Sequence, residues 1–327
     1  MTQFVADSKQ GETLAWLVGH CRCPDCHSRE LRIDGPAIVC EECTTAFPIN
    51  GQRPVLMRTD NTVFPRSSYT KATSGDSNHP LLRAARHLVP SRSVNMTNRE
   101  ALNKFAETLP MAEDSTVLVI GAGSQRDWLK THLASRPHLR VLCSDVDVRA
   151  EVDLFCDAHE LPFPNESVDG IVASAVLEHV LYPERAVAEM HRVLRSNGTV
   201  YTEIPFLQQV HEGAYDFTRY TLSGHRRLMN NFDELASGVV AGPGTTLAWA
   251  LEQFAVSFSP KPLTSIVRFA TRCVFFWLKY ADYLAGQSPA AVDGASCTYF
   301  LGRRARTSRP DTEIIAQYSG LKQLRHV

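Results

Sequence analysis

The sequence predicts an α/β protein, an open and mostly parallel sheet preceded by a small metal-binding module. Three observations carry this. The first is a run of strand-to-loop edges between Ser115 and Val180, written STVLVIGAGS (115–124), VLCSDVD (141–147) and FCDAHELPFPNESVDGIVASAVLEHV (155–180). Short apolar runs that end in Gly or Asp and give way to helical spacing are the pattern of βα units. The second is a pair of C-x2-C motifs, Cys23-Pro-Asp-Cys26 and Cys40-Glu-Glu-Cys43. The third is composition: 327 residues, 44% hydrophobic and 21% charged, suit one large globular domain with a smaller one. A net charge of −1 supplies no global basic field to draw nucleic acid.

The N-terminal module covers residues 1–60. Each C-x2-C pair sits on a tight turn that aims two thiolates at one point, and two such turns make a tetrahedral S4 site suited to zinc. Cys23, Cys26, Cys40 and Cys43 are the candidate ligands, with the metal in a structural role. Cys21 is left out, because Cys21-x-Cys23 is too tight a spacing for such a turn. So small a segment buries too little core to fold alone, so the metal contributes much of its stability. Five of the nine cysteines lie within 21–43, unlike the spread of a secreted disulfide scaffold. The opening residues, MTQFVADSKQGETLAW, show no basic stretch followed by an apolar one. A cytoplasmic, reducing location is the expectation.

The segment CPDCHSRELRIDGPAIVCEECTTAFPINGQRPVLM (23–57) resembles the small zinc-ribbon-like domain of the tRNA-methyltransferase activator family, whose members read CPxC…L…CxxC…YPIxxGIPVLL. Here the tail reads FPINGQRPVL (47–56), with Arg53 in place of the usual apolar residue. The resemblance implies a zinc-ribbon-like fold beside or ahead of a methyltransferase.

Residues 61–113 read as linker and lid helices. Residues 60–80 are polar and rich in Ser and Thr, with no apolar period. Helical spacing appears at Leu81–Leu88 and Arg99–Leu109, where Leu102, Phe105, Ala106 and Leu109 share one face behind Asn98 as a cap.

The core then begins. Val117–Ile120 is a buried strand, Gly121-Ala122-Gly123-Ser124 a turn that lets backbone amides approach a ligand, and Gln125–Ala134 a helix. The dinucleotide fingerprint wants a third glycine where Arg126 stands, and no Gly-Lys-Ser/Thr marks a P-loop. The second strand, Arg140–Ser144, ends at Asp145, placed to accept from ribose hydroxyls. Asp157, on the third edge, is placed to accept from an adenine amino group. The strand Gly170–Ser174, the helix Arg185–Leu194, a turn at Asn197-Gly198 and the strand Thr199–Ile204 complete the pattern.

The words VLVIGAGS, DAHELPFPNESVDGIVASAVLEHV and EMHRVLRSNGTVYTEIP resemble the class I S-adenosylmethionine-dependent methyltransferases of the type 11 group, over about residues 115–230. That resemblance implies a Rossmann-like, doubly wound sheet of seven strands over 114–307, with a helical insertion at about 245–290 and a C-terminal tail at 308–327. It places Gly121, Ala122, Gly123 and Ser124 at the methionine part of the cofactor, Asp145 at the ribose, Val146 on the adenine, Asp157 and Ala158 around the adenine, and Ser174 and Ala175 on the methionine side. Two positions depart: Val119 stands where the family usually carries an acidic residue, and Gln125 replaces its common third glycine.

The phrase His211-Glu-Gly-Ala-Tyr215-Asp216-Phe-Thr-Arg219-Tyr220 follows the fifth strand. Loops at the carboxyl ends of the strands build the crevice in open sheets. His211 is thus a candidate base, its ordinary pKa suiting it to take a proton from a hydroxyl, and Tyr215, Asp216 and Arg219 are candidate catalytic neighbours. A competing reading makes Asp216 and Arg219 a structural ion pair. Further on, Leu222–Asn231 reads as a helix, Ser237–Ala241 as a strand, Thr246–Phe258 and Leu263–Leu284 as long helices, and Ala295–Gly302 as an antiparallel edge strand. The apolar stripe of 263–284 packs on the sheet or a dimer partner, or touches a membrane surface through its interleaved basic residues. Arg268, Arg272, Lys279 and Asp282 interrupt it too often for a transmembrane helix. Arg303–Arg309 reads as a solvated basic end.

The expected function is methyl transfer from S-adenosylmethionine to an O or N of a small molecule, such as a sugar, a lipid-linked saccharide or a secondary metabolite. The alternatives are a non-catalytic cofactor-binding or scaffold protein, motivated by Val119, and an RNA or protein methyltransferase. No aromatic–basic platform for a stable nucleic-acid partner is visible. A homodimer is a further expectation.

Overall fold

The computed structural model describes residues 9–69, 89–112, 114–123 and 138–322, together with 129, 133 and 136. The expected helix over 81–88, Ser124, and most of the helix over 125–134 lie outside the described residues. The chain divides into two compact units, one of Met1–Asp76, Phe105–Ser174 and Tyr182–Val200, the other of Ser77–Lys104, Ala175–Leu181 and Tyr201–Val327.

The first unit opens with helix α1 (Lys9–His20) and an antiparallel four-stranded sheet in chain order, β1 (Leu31–Asp34), β2 (Ala37–Cys40), β3 (Ala46–Asn50) and β4 (Arg53–Pro54). Gly35, at φ +59°, closes the β1–β2 hairpin, a backbone angle that costs glycine nothing. Leu17, Ile38 and Phe47 are fully buried and give the module a small core. Just past β4, Val55 pairs in parallel with Phe155, and the Leu56 N–H donates to the Phe155 carbonyl at 2.9 Å. Backbone pairing therefore joins the module to the edge of the larger sheet.

Helix α2 (Asn98–Thr108) leads to β5 (Thr116–Ile120), β6 (Arg140–Asp145), β7 (Leu154–Phe155) and β8 (Val168–Ser174). β5 pairs in parallel with β6 and β8, and β6 with β7. Every residue of β5 and β8 is buried, as expected of parallel strands covered on both faces. Gly170 in β8 permits close packing: a Cβ there would stand 2.7 Å from Leu109 and 2.8 Å from Phe105. Helix α3 (Pro183–Val193) starts on a proline and buries Ala186, Val187, Met190 and Val193. β9 (Leu194–Pro205) follows without a break, so the bend expected at Asn197-Gly198 falls inside the strand.

In the second unit, Thr221 caps α4 (Leu222–Leu228), its hydroxyl accepting from the Gly224 N–H at 3.0 Å. β10 (Phe232–Ala241) runs antiparallel to β11 (Cys297–Arg304). The large sheet has the order β10-β11-β9-β8-β5-β6-β7, a mostly parallel, Rossmann-like seven-stranded arrangement. Leu222, Val239, Val292 and Ala295 form a buried cluster in this unit.

Between β10 and β11 lie α5 (Pro243–Ser257), α6 (Thr264–Phe275), a 3-10 stretch over Phe276–Ala281, α7 (Asp282–Ala285) and α8 (Pro289–Asp293). The single helix expected over 263–284 is thus three pieces. The reason lies at Asp282, which is fully buried and accepts from the N–H groups of Gly242, Gly244 and Thr245 and from the Thr245 hydroxyl. It satisfies the first turn of α5 as a distant cap, which the tightened 276–281 segment delivers. The stripe on this region does not pack on the sheet: Phe269, Phe276, Trp277, Tyr280 and Leu284 are exposed. No described helix is long and apolar enough to cross a membrane.

The basic end also differs from its expectation. Arg303 and Arg304 belong to β11, and Arg309 is buried, pairing with Glu234 at 3.1 Å. A last helix, α9 (Asp311–Ala316), buries Ile314.

Candidate functional site

The cysteine cluster forms first along the chain. Cys23 and Cys43 sulfurs lie 3.6 Å apart and Cys26 and Cys40 sulfurs 3.5 Å apart. All four lie within 4.8 Å of one another. Zinc–sulfur bonds of about 2.3 Å in a tetrahedron put the sulfurs about 3.8 Å apart, so the cluster fits such an ion. The two turns match. Cys23 N–H donates to the Ser28 carbonyl and Cys40 N–H to that of Thr45, and each turn ends on a left-handed residue, His27 (φ +66°) and Thr44 (φ +58°). The Thr45 hydroxyl and amide pull Cys43 down to about 6, toward the thiolate a metal needs. Cys21 stands apart, closing the last turn of α1 through its N–H to Leu17, and burial raises its thiol.

The strand ends of the first unit gather the expected cofactor residues. Gly121 (φ +63°) and Gly123 (φ +47°) turn the chain after β5 in a conformation that other residues rarely adopt. Asp145, at the end of β6, accepts from the Gly123 N–H at 2.8 Å and from the Asp147 N–H at 2.9 Å. Burial raises its carboxyl despite these amides. Val146 offers its carbonyl to the Tyr69 hydroxyl. Asp157 accepts from Asn61 Nδ2 at 2.8 Å and from His159 Nδ1 at 2.6 Å. Burial works against ionisation there, but His159 and Asn61 hold its carboxyl below the ordinary range. His159 Nε2 in turn faces the Tyr182 N–H at 3.1 Å, with Nδ1 turned to Asp157. Ala122 and Ala158 are buried, and Ser174 ends β8. Val119 is buried inside β5, its carbonyl accepting from the Ser144 hydroxyl.

Two residues here escaped the sequence reading. Tyr69, 2% exposed and tilted against Phe155, and Asn61 both come from the stretch read as linker. Asn61 ties its own turn as well, its Oδ1 accepting from Phe64. The only local signal was an Asn three residues ahead of an aromatic in an otherwise polar run, which is an Asx-turn pattern.

The second unit carries a separate polar cluster. Ala175 holds a left-handed backbone (φ +55°), and its N–H donates to the Glu203 carbonyl at 3.0 Å. Three residues on, Glu178 is fully buried with neither carboxylate oxygen hydrogen-bonded. Burial pushes its carboxyl up to about 8. His179 Nδ1 donates to the Tyr215 carbonyl at 2.7 Å, and burial lowers its pKa. His211 stacks edge-on against His179 at 4.9 Å and against Trp249 at 6.1 Å. Its N–H donates to Asp216 at 2.9 Å, and its Nδ1 to the Gln209 carbonyl at 3.3 Å.

Asp216 and Arg219 form a two-pronged ion pair, with Arg219 also donating to the carbonyls of Gln208, Gln209 and Thr218. Burial of Asp216 opposes ionisation, but Arg219 and the His211 amide hold it well below the usual carboxylate range. These two residues staple the loop, and Tyr215 presents an exposed ring beside them in sequence. An open cleft of about 770 Å³ is lined by residues 206–210 and 216–219 of this loop, together with Gln253 and Arg268.

Comparison with known proteins bears on this geometry. Residues 118–202 match the family described as a methyltransferase domain. Over 62 residues the chain is 39% identical to the ubiquinone/menaquinone biosynthesis C-methyltransferase UbiE of Ralstonia pickettii, covering 19% of this chain and 26% of that protein. UbiE of Neisseria gonorrhoeae is 36% identical over 67 residues, covering 20% and 27%. The match thus spans about a quarter of the length of these relatives. Among solved structures, the Haloferax volcanii complex of the Trm112 methyltransferase activator with a putative methyltransferase aligns with a TM-score of 0.41 at 18% identity, over 65% of this chain and 90% of that one. Phosphoethanolamine N-methyltransferase 2 of Haemonchus contortus aligns with a TM-score of 0.41 at 14% identity, over 64% and 53%. The family match places similarity to a methyltransferase domain over residues 118–202 of the chain.

Proposed function

From that domain as premise, we propose that the chain transfers a methyl group from S-adenosylmethionine to an O or N of a small-molecule acceptor, and that Cys23, Cys26, Cys40 and Cys43 hold a structural zinc. The observation that carries the first part is the Gly121–Gly123 turn locked to Asp145 within the matched segment. A glycine turn exposed at Gly123 and a half-buried carboxylate at adjacent strand ends are suited to the methionine and ribose of that cofactor. The acceptor atom attacks the sulfonium methyl in line. A C–O or C–N bond forms, the S–CH3 bond breaks with its electrons left on sulfur, and the acceptor's proton passes to a base.

His211 is the candidate base. Its Nδ1 proton is engaged by the Gln209 carbonyl, which leaves Nε2 as the lone pair. Asp216 and Arg219 position its loop rather than touch the reacting atoms. The exposed Phe269, Trp277 and Leu284, with the exposed cations Lys261 and Arg268 nearby in the chain, support docking on an anionic lipid surface and an acceptor attached to a lipid. Co-sedimentation with anionic vesicles, but not with neutral ones, checks that part; a stable dimer in solution with no vesicle binding would instead assign the face to a second copy.

The deciding experiment incubates the chain with methyl-labelled S-adenosylmethionine and fractions of small molecules, RNA and protein. Label in the small-molecule fraction supports the proposal. Label only in RNA or protein overturns the acceptor class. Cofactor binding without transfer to any fraction favours the non-catalytic reading that Val119 motivates.

A further inference from the structure

The base role leaves one feature unexplained. Glu178 is fully buried, and among the described residues neither of its carboxylate oxygens finds a side-chain or distant backbone donor. Burying such a group is costly unless something at the site answers it. Two imidazoles face it. His179 Nε2 lies 3.6 Å and His211 Nε2 3.9 Å from Glu178 Oε1, and one ligand atom from each of the three residues lies within 4.8 Å of the other two. Neither imidazole can donate toward Glu178 as a neutral ring, because both Nδ1 protons are committed, to the Tyr215 and Gln209 carbonyls. The cluster therefore presents two imidazole lone pairs and a carboxyl group to one point.

We propose that Glu178, His179 and His211 bind a divalent first-row transition cation. Two imidazoles and one carboxylate are a recognised donor set for such ions and leave coordination positions open. Bonds of about 2.1 Å in a tetrahedron put ligand atoms about 3.4 Å apart, within a small side-chain rotation of the spacing seen. The partners of the far nitrogens also fit: a ligating histidine ordinarily donates its other N–H to a carbonyl or carboxylate, which orients the ring. Here the Tyr215 and Gln209 carbonyls do this, and Asp216 Oδ2 lies 3.4 Å from His211 Nδ1. The nearby Arg219 cation is matched by the two-pronged pair with Asp216. Two further buried oxygens without partners, Gln209 Oε1 and Thr218 Oγ1, sit on the same loop.

Cation binding by itself does not depend on the methyltransferase reading. Its use does: an acceptor hydroxyl on an open position would lose its proton more readily, and the cation rather than His211 would then promote deprotonation.

The test uses the full chain with its cysteine site first loaded with zinc. Mn2+ is added and free Mn2+ is followed by electron paramagnetic resonance, because this hard ion does not compete for thiolates. The expected result is one Mn2+ per chain, with affinity falling at least about tenfold in Glu178→Gln and His211→Asn. Zinc content, circular dichroism and S-adenosylhomocysteine binding should stay as in the wild type and show that both variants fold. Should Glu178→Gln fail to fold, His179→Asn takes its place. Absence of Mn2+ binding at millimolar ion, or equal binding by all variants, overturns the site. Loss of S-adenosylhomocysteine binding by the wild type would strike the methyltransferase reading alone.

Discussion

The Gly123 amide donates to Asp145 Oδ2 at 2.8 Å, so the glycine turn after β5 is held by the residue that ends β6. Adjacent parallel strands bring them together across 22 residues of chain, with Ile120 opposite Ser144 one step before. The carboxylate thus shapes the turn and keeps acceptor capacity for hydroxyl groups.

Replacing Asp145 should therefore damage cofactor binding twice over. Asp145→Asn keeps the size but loses the charge that the Gly123 and Asp147 amides meet, and Asp145→Ala loses both partners. We expect about a tenfold loss of S-adenosylhomocysteine affinity for Asn and about a hundredfold for Ala, since charge-assisted hydrogen bonds contribute about 1.5–3 kcal/mol each. Equal affinities across the series would remove Asp145 from the site.

Tyr69→Phe deletes one hydroxyl that donates to the Val146 carbonyl from a side chain only 2% exposed. Leaving that carbonyl without its donor should cost about 1–2 kcal/mol, seen as a lower midpoint in denaturant with an unchanged slope. If the segment around Tyr69 were a loose linker, the midpoint would not move.

The cysteine site should be measurable through Trp16. This indole stacks on His20 at 4.0 Å, with the Arg140 guanidinium 4.9 Å from its ring centre, on the helix that precedes the first C-x2-C turn. Native protein should carry one zinc per chain. Removing it with a strong chelator should change Trp16 fluorescence and lower the unfolding midpoint, and Cys26→Ser should mimic the chelator. Zinc content well below one per chain after native purification would contradict the assignment.

Acid should weaken the second unit through His225. The ring is fully buried between the hydroxyls of Thr202 at 2.8 Å and Thr298 at 3.1 Å. Burial, with Arg226 nearby, lowers its pKa to about 3. The unfolded value is about 6.5, so the neutral form favoured by folding is already the unfolded form above that pH, and this contribution is complete there. As pH falls from about 6.5 toward about 3 the unfolded state takes up a proton that the folded state refuses, and about 2 kcal/mol is lost by pH 5. Stability measured between pH 7 and 5 should fall more steeply for the wild type than for His225→Gln. Parallel curves would refute the assignment.

The features legible in the sequence are those whose signal is local. The C-x2-C turns, the strand ends at Gly121 and Asp145, and the order of the strands from β5 to β9 depend on residues within a few positions of one another. What the sequence hid is set by partners far along the chain. Asp282 looked like a charge interrupting an apolar helix, yet it caps α5 some 40 residues earlier. Arg309 looked like part of a solvated tail, yet it pairs with Glu234. Glu178 carries no local signal in its stretch of sequence, because only the fold reveals that no other described residue donates to it.

The most direct measurement is a calorimetric titration of the purified chain with S-adenosylhomocysteine. The account predicts saturable binding at one molecule per chain, with heat lost in Asp145→Ala and kept in Arg219→Lys, which alters only the stapled loop. No heat and no thermal stabilisation at millimolar ligand would contradict it.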